Sequence, residues 1–348
     1  KGMFNLMLDV SKLYDAYIGK HVDTRKVLDV KDCISRVSSD IIGTCAFGIN
    51  CNSLNDATFH IVLKDIMAKA NNSLKMSFYN ALPKLARFLR VQIFPKKETR
   101  FLCKSIDETI ADRARNGIER NDFLQLAIKM KNDNIINMNE LRAQCNLFLN
   151  AGYETTRNAI KFFLFEIACN QNIQQKLRDE INEILTEYGG EMTYEALGKM
   201  KYLDMVINET LRKYPPIAFL NRKCVKDFKL PDSDMLIEKD TRLIISNYGL
   251  QHDPEYFPNP DKFDPERFSD ANKNKILPYT YLPFGEGPRN CIGDRFAKME
   301  MKVTAVCFVK KYKLMLHKML KMPLKLDRTG LFIDIADDIL FDLQEISE

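Results

Sequence analysis

Tryptophan is absent from the 348 residues, and histidine occurs only four times, as His21, His60, His252 and His317, never in a cluster. A metal site built from several imidazoles is thereby excluded. No stretch approaches the roughly 18 apolar residues that a helical membrane span requires, and Lys1-Gly2-Met3-Phe4-Asn5 lacks the layout of a signal peptide. No span is expected in the chain as written. The nine cysteines form an odd set with no C-x-x-C pair, which argues against a disulfide framework or zinc ribbon and for a reducing compartment. A strong charge of one sign is lacking too: 52 basic and 47 acidic residues leave +5, spread along the chain without a basic arm, so a dedicated nucleic-acid binder is not expected.

What is present is ordinary globular material, 45% hydrophobic and 10% aromatic, enough for a large core. From Met3 to about Leu197 apolar residues recur at three- and four-residue spacing and predict helices. Asp32 to Phe47 carries an apolar stripe, Ile34, Val37, Ile41, Ile42, Cys45 and Ala46, that Gly48 should stop. The stretch from Asn139, read as N-cap, to Cys169 predicts one long helix, on the order of 45 Å at about 1.5 Å per residue. After Tyr214-Pro215-Pro216 the character changes. Extended runs, Phe219 to Phe228 and Leu243 to Ser246, alternate with Pro- and Asp-rich turns. Helix returns after Cys291 through Lys311, and Leu331 to Leu343 alternates as a β-hairpin does. With no internal repeat or linker, the fold class is mainly α with small β-sheets (α+β). A single domain is expected over 1–348, with 1–214 mostly helical and 215–348 mixed. Because the chain starts without Met inside an amphipathic helix, it reads as part of a longer polypeptide.

Residues 81–97 combine bulky apolar side chains with five positive charges, three of them between Pro83 and Pro95. Contact with a membrane surface and a helix-connecting loop with a solvated basic face are both open at this point.

The chemistry concentrates elsewhere. Cys291 sits in Pro283-Phe284-Gly285-Glu286-Gly287-Pro288-Arg289-Asn290-Cys291-Ile292-Gly293. Gly287 and Gly293 let the backbone adopt unusual dihedrals close to a flat cofactor. A helix starting near Asp294 aims its free N–H groups at the sulfur and favours the thiolate that binds metal. A lone cysteine is more often a small buried hydrophobe, so its companions matter.

Ala151-Gly152-Tyr153-Glu154-Thr155-Thr156 places polar groups midway along the long helix, where apolar ones are expected. Gly152 would let a planar ligand near the backbone, Thr155 can bond the carbonyl one turn back, and Glu154 can relay protons; an ordinary helix with a solvent-facing Glu is the plainer alternative. Glu209 and Arg212 stand three apart, on one helix face. Arg267, in a proline-rounded turn, could close on them as a buried Arg–Glu–Arg network. Arg222 and Arg289 are candidates for carboxylate recognition, unless they are plain surface arginines.

Together and in order, these residues resemble the cytochrome P450 family of haem-thiolate monooxygenases. Phe284 to Gly293 is similar to its haem-binding loop, Ala151 to Thr156 to its oxygen-activation motif, Glu209-Thr210-Leu211-Arg212 to its E-x-x-R, and Pro265-Glu266-Arg267-Phe268 to the partner turn. The resemblance implies a fold with a long central helix over the haem, incomplete at the amino terminus. It implies haem b with Cys291 as the iron's axial ligand, Arg289 and Arg222 on the propionates, Phe284 and Gly152 against the haem, and Glu154 with Thr155 delivering protons to O2.

It further implies oxygen insertion into lipophilic small molecules, NADPH electrons from a separate reductase, and the cytosolic face of the endoplasmic reticulum membrane. Flanking text such as Asp40 to Gly48 looks like the microsomal xenobiotic-oxidising branch of insects. The family's membrane anchor, first strands and propionate-binding Trp have no counterpart here. Lys298, Lys302, Lys310 and Lys311 either steer an acidic partner or form a solvated face. Two rival readings keep the haem: a hydroperoxide isomerase or dehydratase, and a non-catalytic haem binder.

Overall fold

A computed structural model describes residues 2–24, 27–70, 73–327 and 332–346. Asp29 accepts the Asp32 amide at 3.1 Å and so starts helix α2, Val30–Ile42, whose apolar stripe is buried. The helix then widens into a π turn over Gly43–Phe47 and stops at Gly48, φ +68°. Glycine is required there twice over, because a Cβ would also lie 1.9 Å from Arg113 Nη2.

The other helices before Pro215 are α1 (Phe4–Asp23), α3 (Thr58–Ala70), α4 (Ser73–Ala81), α5 (Pro83–Phe88), α6 (Lys96–Asn116), α7 (Phe123–Asn132), α8 (Met138–Cys169), α9 (Gln171–Glu187), α10 (Tyr194–Lys199) and α11 (Lys201–Lys213). The long helix α8 begins two residues earlier than the sequence suggested. Asn137, not Asn139, is the cap: its Oδ1 accepts the Asn139 and Glu140 amides at 2.9 and 3.0 Å while Glu140 Oε2 accepts the Asn137 N–H at 2.7 Å. Only Asn137 has a Glu three residues on, and that reciprocal box decides between the two asparagines.

Two apolar clusters flank α8. Leu141, Cys145, Leu149 and Tyr153 pack with Ile42, Phe47, Phe59, Leu63, Leu102 and Leu124. Residues from Ala159 to Ala168 pack with α1, α2, α9, α11 and α13 (Asp294–Lys311).

The mixed half holds short antiparallel pairs. β2 (Phe219–Lys223) pairs with β5 (Arg242–Ser246) in the register Phe219↔Ser246, and β3 (Phe228–Lys229) pairs with β4 (Leu236–Ile237). The short helix α12, Asn247–His252, follows β5. The tail departs from the expected hairpin. Leu331 lies outside the described residues, and of the rest β8 (Asp334–Ile335) pairs with β7 (Leu326–Asp327). β9 (Leu340–Glu345) lies between β6 (Tyr312–Leu316) and β1 (Leu28–Asp29). Alternation fixes which face of a strand is buried, not which neighbour it takes. β6, directly after α13, offers β9 a five-residue partner running from Tyr312↔Glu345 to Leu316↔Phe341.

Candidate functional site

The loop before α13 folds back on itself. The Cys291 N–H donates to Phe284 C=O at 2.8 Å, the Gly285 N–H to Leu282 C=O at 3.0 Å, and the Asn290 N–H to Gly287 C=O at 3.0 Å. These closures need left-handed backbone at Gly285 (φ +72°) and Gly287 (φ +79°), which is the physical reason for glycine at both. All nine cysteines are free, and only Cys169 and Cys291 are exposed. Partial burial pushes the Cys291 thiol above its ordinary value, and the Gly293 N–H pulls it back only part-way. The loop's own groups therefore do not release the thiol proton. A cation at the sulfur would have to displace it.

Phe296, in the first turn of α13, meets Phe148 of α8 edge to face, centroids 5.2 Å apart, and Phe148 stacks on Phe123 at 4.6 Å. The cysteine loop is thus docked beside the middle of α8. There Leu147 (62% exposed), Ala151 and the half-buried Thr155 form an open stripe at four-residue spacing. Beyond it every residue from Thr156 to Ala168 is buried. Thr155 Oγ1 donates to the Ala151 carbonyl at 2.7 Å, one turn back.

Gly152 and Glu154 sit differently from expectation. A Cβ on Gly152 would lie 2.8 Å from Ile42 Cδ1, so that glycine lets α2 pack close against α8. Glu154 turns away from the stripe into the protein, paired with Arg157 and 3.5 Å from Asn158 Nδ2. Arg157 also reaches Asp334 at 3.2 Å and Ser35 Oγ at 3.0 Å, and Lys161 pairs with Asp334. This cluster of four charges was not foreseen, because its partners lie more than 170 positions apart.

Glu209, Arg212 and Arg267 do come together. Arg212 Nε and Nη2 donate to the two Glu209 oxygens at 2.8 and 3.0 Å, and Arg267 Nε lies 3.4 Å from Glu209 Oε1. Burial raises the Glu209 carboxyl against the pull of Arg212. Arg212 further donates to the carbonyls of Gln251 and Pro260 at 2.9 and 2.7 Å.

Gln251, which sequence reasoning missed, completes the link. Its amide donates to the Arg212 carbonyl at 2.8 Å and its Oε1 accepts the Leu282 N–H at 3.0 Å, at the entry to the cysteine loop. The only signal was a buried polar residue inside an otherwise unremarkable Gly-Leu-Gln-His text.

Arg222, half-buried on β2, donates to the neighbouring Asn221 carbonyl at 3.0 Å, and Arg289 is exposed on the loop. Neither pairs with a carboxylate among the described residues, which leaves both guanidinium groups for acids on a ligand. Lys302 is no part of a docking face: it is buried, bonded to the Leu197 carbonyl and to Asp204. Lys311 pairs with Asp15, and Lys298 lies over the Phe284 ring at 5.4 Å.

Among the described residues no three of His, Cys, Asp and Glu converge to hold a metal. An exposed thiol beside an apolar stripe, with two unclaimed guanidinium groups, suits instead a flat metallocycle that brings its own nitrogen ligands and two carboxylates. The residues fit a haem.

Comparison with known proteins agrees. A family model described as Cytochrome P450 matches residues 1–337. Among curated relatives, "Probable cytochrome P450 6a14" of Drosophila melanogaster is 34% identical over 99% of this chain and 72% of its own length. "Cytochrome P450 6k1" and "Cytochrome P450 9e2" of Blattella germanica are each 37% identical, over 94% and 91% of this chain and 67% and 64% of their own lengths. The chain thus spans about two thirds of the length of these relatives.

Proposed function

Since this chain belongs to the cytochrome P450 family, the haem-thiolate monooxygenases, we propose that it carries the thiolate face, the proton path and much of the pocket of such an enzyme acting on lipophilic small molecules. Haem bound through a cysteine sulfur supplies the oxygen-activating chemistry, because the electron-rich thiolate favours O–O cleavage.

The chain's own residues do the rest. Cys291 binds the iron, steadied by the Gly293 N–H and by the Phe284 carbonyl holding its own amide. Arg289 and Arg222 take the propionates, and Phe284 lies against the ring. Leu147 and Ala151 exclude water and leave Thr155 Oγ1 as the hydroxyl able to hold and pass a proton on the oxygen side. The Glu209–Arg212–Arg267 network, through Gln251, holds the thiolate loop in place. Residues 1–348 act as one domain.

Electrons come from a reductase, proposed here to be the NADPH-dependent one of the endoplasmic reticulum. No described helix is long and apolar enough to cross a membrane. Contact with the cytosolic face of that membrane is assigned to 81–97, where Phe88 is 82% exposed among basic side chains.

The exposed Cys291 sulfur beside the open stripe of α8 carries this reading. Its test is the spectrum of the reduced carbon monoxide complex of the haem-loaded full-length protein. A red-shifted Soret band is expected, lost in Cys291→Ser; a haem-loaded parent without that band, or a variant that keeps it, sinks the assignment.

A further inference from the structure

Four arginines are buried among the described residues, and three of them face a carboxylate: Arg113 pairs with Asp122, Arg157 with Glu154 and Asp334, and Arg212 with Glu209. Arg178, on α9 and 5% exposed, pairs with none. Its Nε donates to the Val309 carbonyl at 2.9 Å, Nη2 to the Tyr312 carbonyl at 3.1 Å and to Gln174 Oε1 at 2.9 Å, and Nη1 to Gln175 Oε1 at 2.8 Å. All four acceptors are neutral. A guanidinium has five N–H donors, so one hydrogen, on Nη1, stays uncommitted.

Neutral acceptors hold the side chain without cancelling its charge. Burial accordingly pushes the Arg178 guanidinium down from its ordinary value, and Asp179, exposed one residue on, counters this only in part.

Arg178 and Gln175 line an open cavity of about 350 Å³ between α9 and the β6–β9 pair, together with Lys313, Gln344 and Glu345. The acceptors of Nε and Nη2 lie behind that wall, which leaves Nη1 as the end available to a guest. Lys313 and Gln344 are exposed and directly opposed in the strand register, so an ammonium and an amide share one face of the pair. Lys313 has no carboxylate partner among the described residues. Glu345, the acid at the rim, opposes Tyr312 and belongs to the other face.

We propose that this cavity is a binding site for a small oxyanion, a phosphate or sulfate group, held by Arg178 Nη1, Lys313 and Gln344. Such a group accepts several N–H donors at once and brings the countercharge that the neutral partners of Arg178 do not. The site shares no residue with the cysteine loop or the open stripe of α8, so it stands or falls apart from the monooxygenase reading.

The test is a titration of the haem-loaded full-length protein with sodium phosphate and sodium sulfate, against sodium chloride of equal ionic strength. An anion bound only by the folded state raises the melting temperature with the logarithm of its concentration above Kd. Phosphate and sulfate should do so, with calorimetry giving one site per chain, and chloride should not. Glycerol 3-phosphate is the further probe, because the volume is that of a small-molecule site. Tighter binding than inorganic phosphate assigns the cavity to a phosphorylated small molecule, and equal binding to the bare ion.

Arg178→Gln should abolish the effect. Two exposed substitutions decide the matter even where that variant fails to fold: Lys313→Gln should raise Kd several-fold, and Glu345→Gln should lower it several-fold. Equal shifts with chloride, or a phosphate Kd that neither exposed variant moves, overturn the proposal.

Discussion

Two buried groups of arginine and carboxylate serve α8 and α11, and they are built on opposite plans. The Glu209–Arg212–Arg267 group is pinned to main chain: Arg212 donates to the carbonyls of Gln251 and Pro260, and Glu209 accepts the Asp264 N–H at 2.9 Å. The Glu154–Arg157–Lys161–Asp334 group is mostly side chain against side chain; each group also leaves a buried arginine Nε, Arg157 here and Arg267 there, without a hydrogen-bond partner. Main-chain partners cannot move without moving the fold, whereas side-chain partners exchange by rotation. The first group is therefore a lock on the main chain around Gln251, which in turn accepts the Leu282 N–H at the entry to the Cys291 loop, and the second is adjustable in geometry. Both groups are largely buried; the identity of the acceptors separates them.

Breaking the lock should have the largest effect. Arg212→Ala leaves buried Glu209 with only the more distant Arg267 as a cation and strips two carbonyls of their donor, at a cost of about 3–5 kcal/mol of folding stability. Denaturant titration measures it, with haem retention followed alongside; a loss under about 1 kcal/mol would remove the contrast with the Arg157 group.

A further carboxylate, outside both groups, sharpens the comparison because it has no cation at all among the described residues. Glu300 on α13 is fully buried, its Oε1 accepting from Ser38 Oγ at 2.8 Å, and burial pushes its carboxyl up to about 8. The folded protein binds this proton more tightly than the unfolded chain, whose ordinary value is 4.5. The contribution is therefore full below that value and is lost as pH rises toward 8, by roughly 1.4 kcal/mol per unit. Unfolding free energies at pH 5, 6.5 and 8 should decline more steeply in the parent than in Glu300→Gln; equal slopes would show that this acid is not neutral in the folded protein.

The smallest effect belongs to the adjustable group. Burial, then Arg157, push the Lys161 ammonium down to about 8, while Asp334 is held low because Lys161 and Arg157 outweigh its burial. Lys161→Met leaves Asp334 with Arg157 and should change stability at pH 7 by no more than about 1 kcal/mol. A lowered ammonium means that the folded state binds fewer protons, so the parent gains stability as pH rises from about 8 toward 10.5. Thermal melts across that range should show the gain in the parent and none in the variant.

These contrasts also explain what the sequence disclosed. The cysteine loop was legible in part: of the two glycines read for unusual dihedrals, Gly287 has positive φ and Gly293 does not (φ −96°), Gly285 taking that part instead; the Glu209–Arg212 pair was legible because spacing of three on a helix is itself a contact. The helices were legible by their apolar period. Gly152 was read as a place for a ligand, and only the fold brings Ile42 against it. Glu154 looked solvent-facing or pocket-facing until Arg157 and the distant Asp334 were seen around it. Lys302 looked like surface because a lysine's spacing does not reveal Asp204 beside it. The tail alternated correctly yet paired with β6 and β1, since period gives the face and not the neighbour. Residues whose role is set within a turn or two of chain were readable except for the Glu154–Arg157 pair, and of those set by a partner from another element only Arg267 was.

The ring contact between Phe148 and Phe296 acts as a spacer gauge. One side chain stands on the helix that carries Leu147 and Ala151, the other just past the sulfur loop, and their edge-to-face fit fixes how far apart those two walls stand. The spacing of those walls is thus dictated by a pair of phenyl groups, and other side chains on either wall can be exchanged without altering it.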